Sequence, residues 1–170
     1  MKAVAIQHAF DRAASHYQQL CYGHDNDTLQ QQTARLLLQQ THAAHTYHAR
    51  HLLDVGCGTG VHWPKLRQLS EHYTGLDLSS AMVKQANSTY GTPFGTQWLI
   101  ADAEHMPLPT GAADLVFSNL ALQWCSQPEP VAKELFRVCE PGGRIHVSTL
   151  IQGSLQELYV LKQQGLVASV

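Results

Sequence analysis

Three glycines, Gly56, Gly58 and Gly60, stand directly after the apolar run Leu52–Val55 and just before a stretch of helical spacing. Residues without side chains let the backbone turn sharply from strand into helix and approach a bound molecule closely. A loop of this kind constrains the chain to a strand–loop–helix unit that returns to a neighbouring parallel strand. The loop reads G-x-G-x-G, with Val61 where the third glycine of the dinucleotide pattern G-x-G-x-x-G would stand. By itself it implies a nucleotide-like ligand and no more.

The rest of the chain fits such a unit. His51–Val55, Tyr73–Leu76, Gln97–Ile100, Asp114–Ser118 and Arg144–Ser148 are short β-prone runs, and Val61–Leu69, Ala81–Ser88 and Val131–Val138 between them read as helices. Strands alternating with helices predict an α/β fold, a mostly parallel sheet with helices on both faces. The crossover Ala103–Ala113 contains Pro107, Pro109 and Gly111 and reads mostly as loop. Ahead of the sheet, Ile6, Phe10, Ala13, Tyr17 and Leu20 follow helical spacing and predict an amphipathic helix ending near Gly23. Asp25, Asn26, Asp27 and Thr28 offer N-caps to a second helix, with Leu29, Leu36 and Leu37 on its apolar stripe and an end near Thr41. Thr41–Arg50 reads as a connection, and Gly153–Gly165 as one more helix.

Composition excludes several classes. With Lys+Arg 11 against Asp+Glu 13 the net charge is -2, and the basic residues are dispersed, so no nucleic-acid surface is expected. Apolar runs are strand-sized, below the roughly 20 residues of a spanning helix, so no membrane segment is expected. The N-terminus lacks the long apolar middle of a secretory signal, which predicts a cytoplasmic protein. Cys21, Cys57, Cys125 and Cys139 have no paired spacing and read as reduced thiols. His42, His45, His48 and His51 recur every three residues, but on a helix His42 and His51 would fall on opposite sides. They read as a polar helix end and linker, and no metal site is expected.

Polar residues cluster where the strands end. Asp77 closes the second strand, 17 residues after Gly60, close to the roughly 20 expected for a nucleotide-binding unit, where its carboxylate can accept from both ribose hydroxyls. A helix N-cap is the structural alternative, although Ser79 or Ser80 can supply that cap. Asp102, after the third strand, can accept from an adenine amino group, or simply sit on a solvated edge. Ser118 and Asn119 end the fourth strand at the same side. Glu140-Pro141-Gly142-Gly143-Arg144 reads as a tight turn before the fifth strand.

Taken together, LLDVGCGTG (Leu52–Gly60), TGLDLS (Thr74–Ser79), ADAE (Ala101–Glu104), DLVFSNLALQW (Asp114–Trp124) and EPGGRI (Glu140–Ile145) resemble the class I methyltransferases, in family order. The resemblance implies a Rossmann-like fold and S-adenosyl-L-methionine as cofactor. It would place Gly56, Cys57 and Gly58 under the methionine part, Asp77 with Leu78 at the ribose, Asp102 with Ala103 at adenine, and Asn119 along the pocket, with Asp54 supporting the loop. FDRAASHY (Phe10–Tyr17), SNLALQWC (Ser118–Cys125) and STLIQGSLQEL (Ser148–Leu158) are similar, more narrowly, to the malonyl-acyl carrier protein O-methyltransferases of biotin synthesis. That resemblance implies N-terminal helices in 1–50 that cover the cofactor, with Tyr17 at its methionine carboxylate, a cofactor-binding core in 51–150, and a shortened C-terminal helix in 151–170. For Tyr17 a plain core aromatic on the helix stripe is the alternative.

The implied reaction makes the methyl ester of the free carboxylate of malonyl-acyl carrier protein, or of malonyl-CoA. A carboxylate with a pKa near ~4 is already ionised at neutral pH, so no catalytic base is expected. A phenol or carbon acid as acceptor would require one, with His105 and His146 as candidates. Members of this family continue with a substrate-covering insertion and two further strands, so the fold is expected to be incomplete at its C-terminal end, with an unpaired edge beside the fifth strand. A shortened cofactor-binding domain with little catalysis, and a related methyltransferase of a quinone or carboxylic acid, are the alternative readings.

Overall fold

A computed structural model describes residues 2–23, 28–44, 48–154 and 156. Two helices, α1 (Lys2–Tyr22) and α2 (Leu29–Ala44), precede a sheet of β1 (Ala49–Val55), β2 (Ser70–Asp77), β3 (Thr96–Ile100), β4 (Ala113–Asn119) and β5 (Cys139–Ser148). The short α3 (Trp63–Leu66), α4 (Ser80–Tyr90) and α5 (Pro128–Val138) lie between strands. The strand order is β3-β2-β1-β4-β5 and every described pairing is parallel. The chain runs outward from β1 to β3, then returns to β1's other side as β4. That reversal opens a crevice at the carboxyl ends of β1 and β4, where open α/β sheets bind ligands.

Both faces of the sheet are covered, which is why its central strands read as continuous apolar runs. Successive side chains point to opposite faces. Leu53, Val55, Leu76 and Val116 meet Val131, Leu135 and Val138 of α5 on one face, while Leu52, Tyr73, Leu115 and Phe117 meet Leu37, Leu38 and Leu66 on the other. Val131, Leu135 and Val138 recur at helical spacing after Pro128 in the first turn, where a missing N–H costs nothing. Thr28 and Gln31 cap α2 reciprocally: the Gln31 amide donates to the Thr28 hydroxyl (3.3 Å) and the Thr28 amide to Gln31 Oε1 (3.0 Å). Asp114, at the start of β4, accepts from the amides of Arg50 (2.9 Å) and His51 (2.8 Å) and so anchors the entry of β1.

Several boundaries differ from the expected ones. The helix after the glycine loop spans four residues, Trp63–Leu66, and tightens into a 3-10 turn at Arg67–Leu69, where Val61–Leu69 was expected. Pro64 sits in its first turn, so the helix cannot begin earlier. The connection expected over Thr41–Arg50 is shorter, because α2 runs to Ala44 and β1 already holds Ala49. Glu140–Gly143 is a bulge inside β5: Cys139 pairs with Ala113, and Arg144 is the next paired residue, opposite Leu115. Gly142 takes φ +85° there, and Pro141 is tolerated because β5 pairs only with β4 among the described residues. The crossover Ala103–Ala112 contains no helix or strand, as expected.

The helix expected over Gly153–Gly165 lies mostly outside the described residues, as do His45 and the caps Asp25, Asn26 and Asp27. His42 Nδ1 bonds the Leu38 carbonyl oxygen (2.9 Å), and His51 Nε2 bonds Thr74 Oγ1 (2.7 Å) on the sheet. Among the described residues no helix is long and apolar enough to cross a membrane.

The Trp98 indole, partly buried, packs against the cluster of Leu52, Tyr73, Leu115 and Phe117. A Cβ at Gly75 would meet two ring carbons of Trp98 at 2.6 Å. The Trp98 ring is in turn held by a hydrogen bond from its Nε1 to the Gly91 carbonyl oxygen (2.8 Å). Gly75→Ala is therefore expected to lower stability by about 1–3 kcal/mol through overpacking, read as a lower urea midpoint with an unchanged slope.

Candidate cofactor site

The glycine loop leaves β1 in left-handed conformations, with φ +74° at Gly56, +54° at Gly58 and +75° at Gly60. It hooks onto the end of β2: the amides of Gly56 (2.7 Å) and Cys57 (3.0 Å) both donate to the Leu76 carbonyl oxygen. One residue on, the Gly58 amide donates to Asp77 Oδ2 (2.9 Å), and the Ser79 amide to Asp77 Oδ1 (2.8 Å). A side chain at Gly56 would place its Cβ 2.2 Å from the Cβ of Ala121, so only glycine fits between the loop and the segment after β4.

Over this loop opens a cleft. Tyr17, Gly56, Cys57, Gly58, Asp77, Leu78, Asp102, Ala103 and Asn119 all line it. The structure thus brings together every expected site residue except one. Asp54 lies beneath the loop, 1% exposed, accepting a hydrogen bond from the Tyr73 hydroxyl (2.8 Å). Asp54 therefore does not line the cleft, contrary to its expected place among the cofactor-binding residues. Asp102 Oδ1 accepts from the Glu104 amide (2.9 Å), which folds the turn after β3. Asn119 accepts from the Ser148 hydroxyl (2.7 Å), tying the ends of β4 and β5.

Burial dominates the electrostatics. It pushes the Asp54 carboxyl up to about 7, against the hydrogen bond from Tyr73 that favours the anion. Burial also raises Asp77, opposed by the amides of Ser79 and Gly58. The phenols of Tyr17 and Tyr22 are raised above their ordinary value by burial, so both stay protonated at neutral pH.

Other lining residues were not singled out from sequence. Phe10 and Trp124 stack edge to face across the cleft, with centroids 5.5 Å apart. His62 Nε2 meets the Tyr22 hydroxyl at 3.2 Å, and burial lowers that imidazole to about 4, leaving it neutral. Phe10 and Trp124 each stand in a quoted motif, which was the available signal. Nothing local marks the pairing of Tyr22 with His62, 40 residues apart. Leu120, also on the cleft, is the non-glycine residue with positive φ (50°) among the described residues, a sparsely populated conformation of the kind that gathers at functional sites. Neither His105 nor His146, the conditional bases, lines the cleft.

A glycine cradle at the sheet's reversal point, two acids at successive strand ends, and a buried hydroxyl on Thr59 with no protein partner suit an adenosyl ligand with several polar atoms. Fold and site together define a class I methyltransferase domain. Residues 53–147 match the family model described as "Methyltransferase domain". Malonyl-[acyl-carrier protein] O-methyltransferase of Yersinia pestis is 39% identical over 165 residues, covering 94% of this chain and 55% of the relative. The protein of the same name from Serratia marcescens is 38% identical, with 91% of this chain and 56% of the relative covered. The chain thus spans about half the length of the curated relatives it matches. Among solved structures, the [4+2]-cyclase SpnF superposes with TM-score 0.69 at 26% identity, covering 84% of this chain and 58% of that one. A Haemonchus contortus phosphoethanolamine N-methyltransferase, solved with S-adenosylhomocysteine, superposes with TM-score 0.69 at 18% identity over 86% of this chain and 32% of that one. The chain belongs to the methyltransferase domain family, whose cofactor is S-adenosylmethionine.

The buried Asp54 predicts a pH signature. Its carboxyl is raised in the folded state, so the fold holds this proton more tightly than the unfolded chain does. Its contribution is fully present below the unfolded value of about 4 and is lost as pH rises to about 7. Asp54→Asn is expected to flatten this part of the stability–pH curve, measured by urea unfolding from pH 5 to pH 8. An unchanged slope would show that Asp54 is not the group responsible.

Proposed function

We propose that this chain is the cofactor-binding portion of a cytoplasmic enzyme that methylates the free carboxylate of malonyl-acyl carrier protein, or of malonyl-CoA, in biotin synthesis. The observation that carries the acceptor is the set of curated relatives of that name, aligned over 91–94% of the chain. The observation that carries the cofactor is Asp77, whose two oxygens are fixed by amides of the loop and of the residue before α4.

Each oxygen of Asp77 keeps a second lone pair for a ribose hydroxyl. Asp102 accepts from the adenine amino group, Ala103 offers its backbone beside it, and Leu78 supplies an apolar wall. Gly56, Cys57 and Gly58 pass beneath the methionine portion. The protonated Tyr17 phenol donates to its carboxylate, with Asn119 along the same end. Helices in 1–50 cover the site, and the core in 51–150 builds it. Bound S-adenosylmethionine supplies an electrophilic methyl group on sulfur.

For a carboxylate acceptor the chain's task is alignment and exclusion of water. A malonyl carboxylate is ionised at neutral pH and already nucleophilic, so no proton needs to be removed. The positions of His105 and His146 away from the cleft fit that chemistry.

Calorimetric titration with S-adenosylhomocysteine, together with methyl transfer to malonyl-acyl carrier protein, tests the proposal. Binding with transfer supports it in full, and binding without transfer leaves this chain the cofactor role alone. No binding overturns it. Asp77→Ala is expected to weaken S-adenosylhomocysteine binding by about 1.5–3 kcal/mol through lost hydrogen bonds to a charged acceptor. Unchanged affinity would refute the ribose assignment.

A further inference from the structure

Two consecutive residues of α1 hold opposite walls of the cleft. On one side Asp11 Oδ1 accepts from the Ser79 hydroxyl (2.6 Å) and the Ala81 amide (3.2 Å), so a carboxylate of α1 caps the start of α4. Ser79 is itself the α4 N-cap, bonded by the Met82 amide, and its own amide donates to Asp77. On the other side the Phe10 ring stands edge to face on Trp124, beyond the end of β4.

The helix α1 also lies along α4 and lines the cleft with Ile6 and Tyr17. Ala14 is its one buried side chain among the described residues, and Leu20 and Val4 are exposed. Its C-terminal end is fixed differently, by Tyr22 on His62, whose ring packs against Phe117 of β4. A helix with one buried side chain, pinned at its C-terminal end and fastened across the cleft by Asp11 and Phe10, has the sparse burial of the elements from which moving lids are drawn. The hydrogen bonds lower the Asp11 carboxyl below its usual range, so it is ionised and accepts strongly at neutral pH.

Resting on the cofactor reading above, in which α1 covers the cleft, we infer that Asp11 and Phe10 fasten this helix to the two walls and set the rate of cofactor exchange, the helix pivoting near Tyr22. Asp11 is a positioning residue, acting on the cofactor through Ser79 and Asp77. Opening requires the Asp11–Ser79 bond and the Phe10–Trp124 contact to part together, so weakening either one speeds release more than it slows entry.

The test uses S-adenosylhomocysteine as probe and the full chain, with association and release followed by stopped-flow tryptophan fluorescence. Asp11→Ala is expected to release the probe about tenfold faster, the scale of one charge-assisted contact, and Phe10→Ala about fivefold faster, the scale of one aromatic pair, with association changed less than threefold in each. Asp11→Asn keeps an acceptor oxygen without the charge and is expected to release the probe at a rate between those of the wild type and Asp11→Ala. Trypsin cleavage after the exposed Arg12 is expected to be slowed by the probe in the wild type and not in Asp11→Ala. A wild type that binds the probe while both Asp11→Ala and Phe10→Ala release it at the wild-type rate overturns the fastening role and leaves the cofactor reading standing. A wild type that binds no probe overturns the cofactor reading, and the fastening role with it.

Discussion

The Leu76 carbonyl oxygen, accepting from both Gly56 and Cys57, is the contact on which the site depends. A parallel sheet buried on both faces leaves the last carbonyls of its strands without partners unless a loop supplies donors. Here the loop that leaves β1 supplies two donors to β2, and in doing so is drawn across the strand end rather than outward. Its next free amide, on Gly58, then falls on Asp77. Loop, strand end and acid are therefore one hydrogen-bonded unit. The close approach to Ala121 that excludes a side chain at Gly56 joins that unit to the segment after β4.

Two carboxyl groups sit in this unit and are treated differently, Asp54 fully buried and Asp77 half-buried on the cleft. Asp77 has an amide on each oxygen and faces the cleft, so its charge is supported by dipoles while lone pairs stay available. Asp54 has one phenol and no access to the cleft, and burial pushes it toward the neutral form. Burial raises both, and the difference lies in the number of hydrogen bonds that oppose it and in access to the cleft. A low-dielectric floor beneath a hydrogen-bonded acid strengthens whatever polar contact that acid makes above it.

Much of this was legible in the sequence. His51–Val55 and Asp114–Ser118 read as strands from short, mostly apolar β-prone runs, and the acids at the carboxyl ends of two others, Asp77 after Leu76 and Asp102 after Ile100, then pointed to one edge. Strand entries were less legible: Ala49, Arg50, Ser70 and Glu71 carry no strand signal, and they join the sheet through pairing and through Asp114. Glu140–Gly143 has the composition of a turn, and only its register against β4 makes it a bulge. In the site, Asp77 and Asp102 followed from the order of strands. Tyr22 with His62, and Asp11 with Ser79, did not, since those pairs are 40 and 68 residues apart and depend on where α1 lies.

The grip of Asp114 on the amides of Arg50 and His51 also bears on the order in which the chain can fold. β1 is the centre of the sheet, yet its second neighbour and the carboxylate that anchors it lie 63 and 64 residues downstream. Closing so long a loop is entropically costly and slow compared with helix formation. During synthesis α1, α2 and the β1–β2–β3 half emerge first, with one side of β1 still lacking its partner strand. Until β4 arrives, that row of amides and carbonyls is a nascent edge in the middle of the future core, the point at which a growing chain of this topology is most open to mispairing.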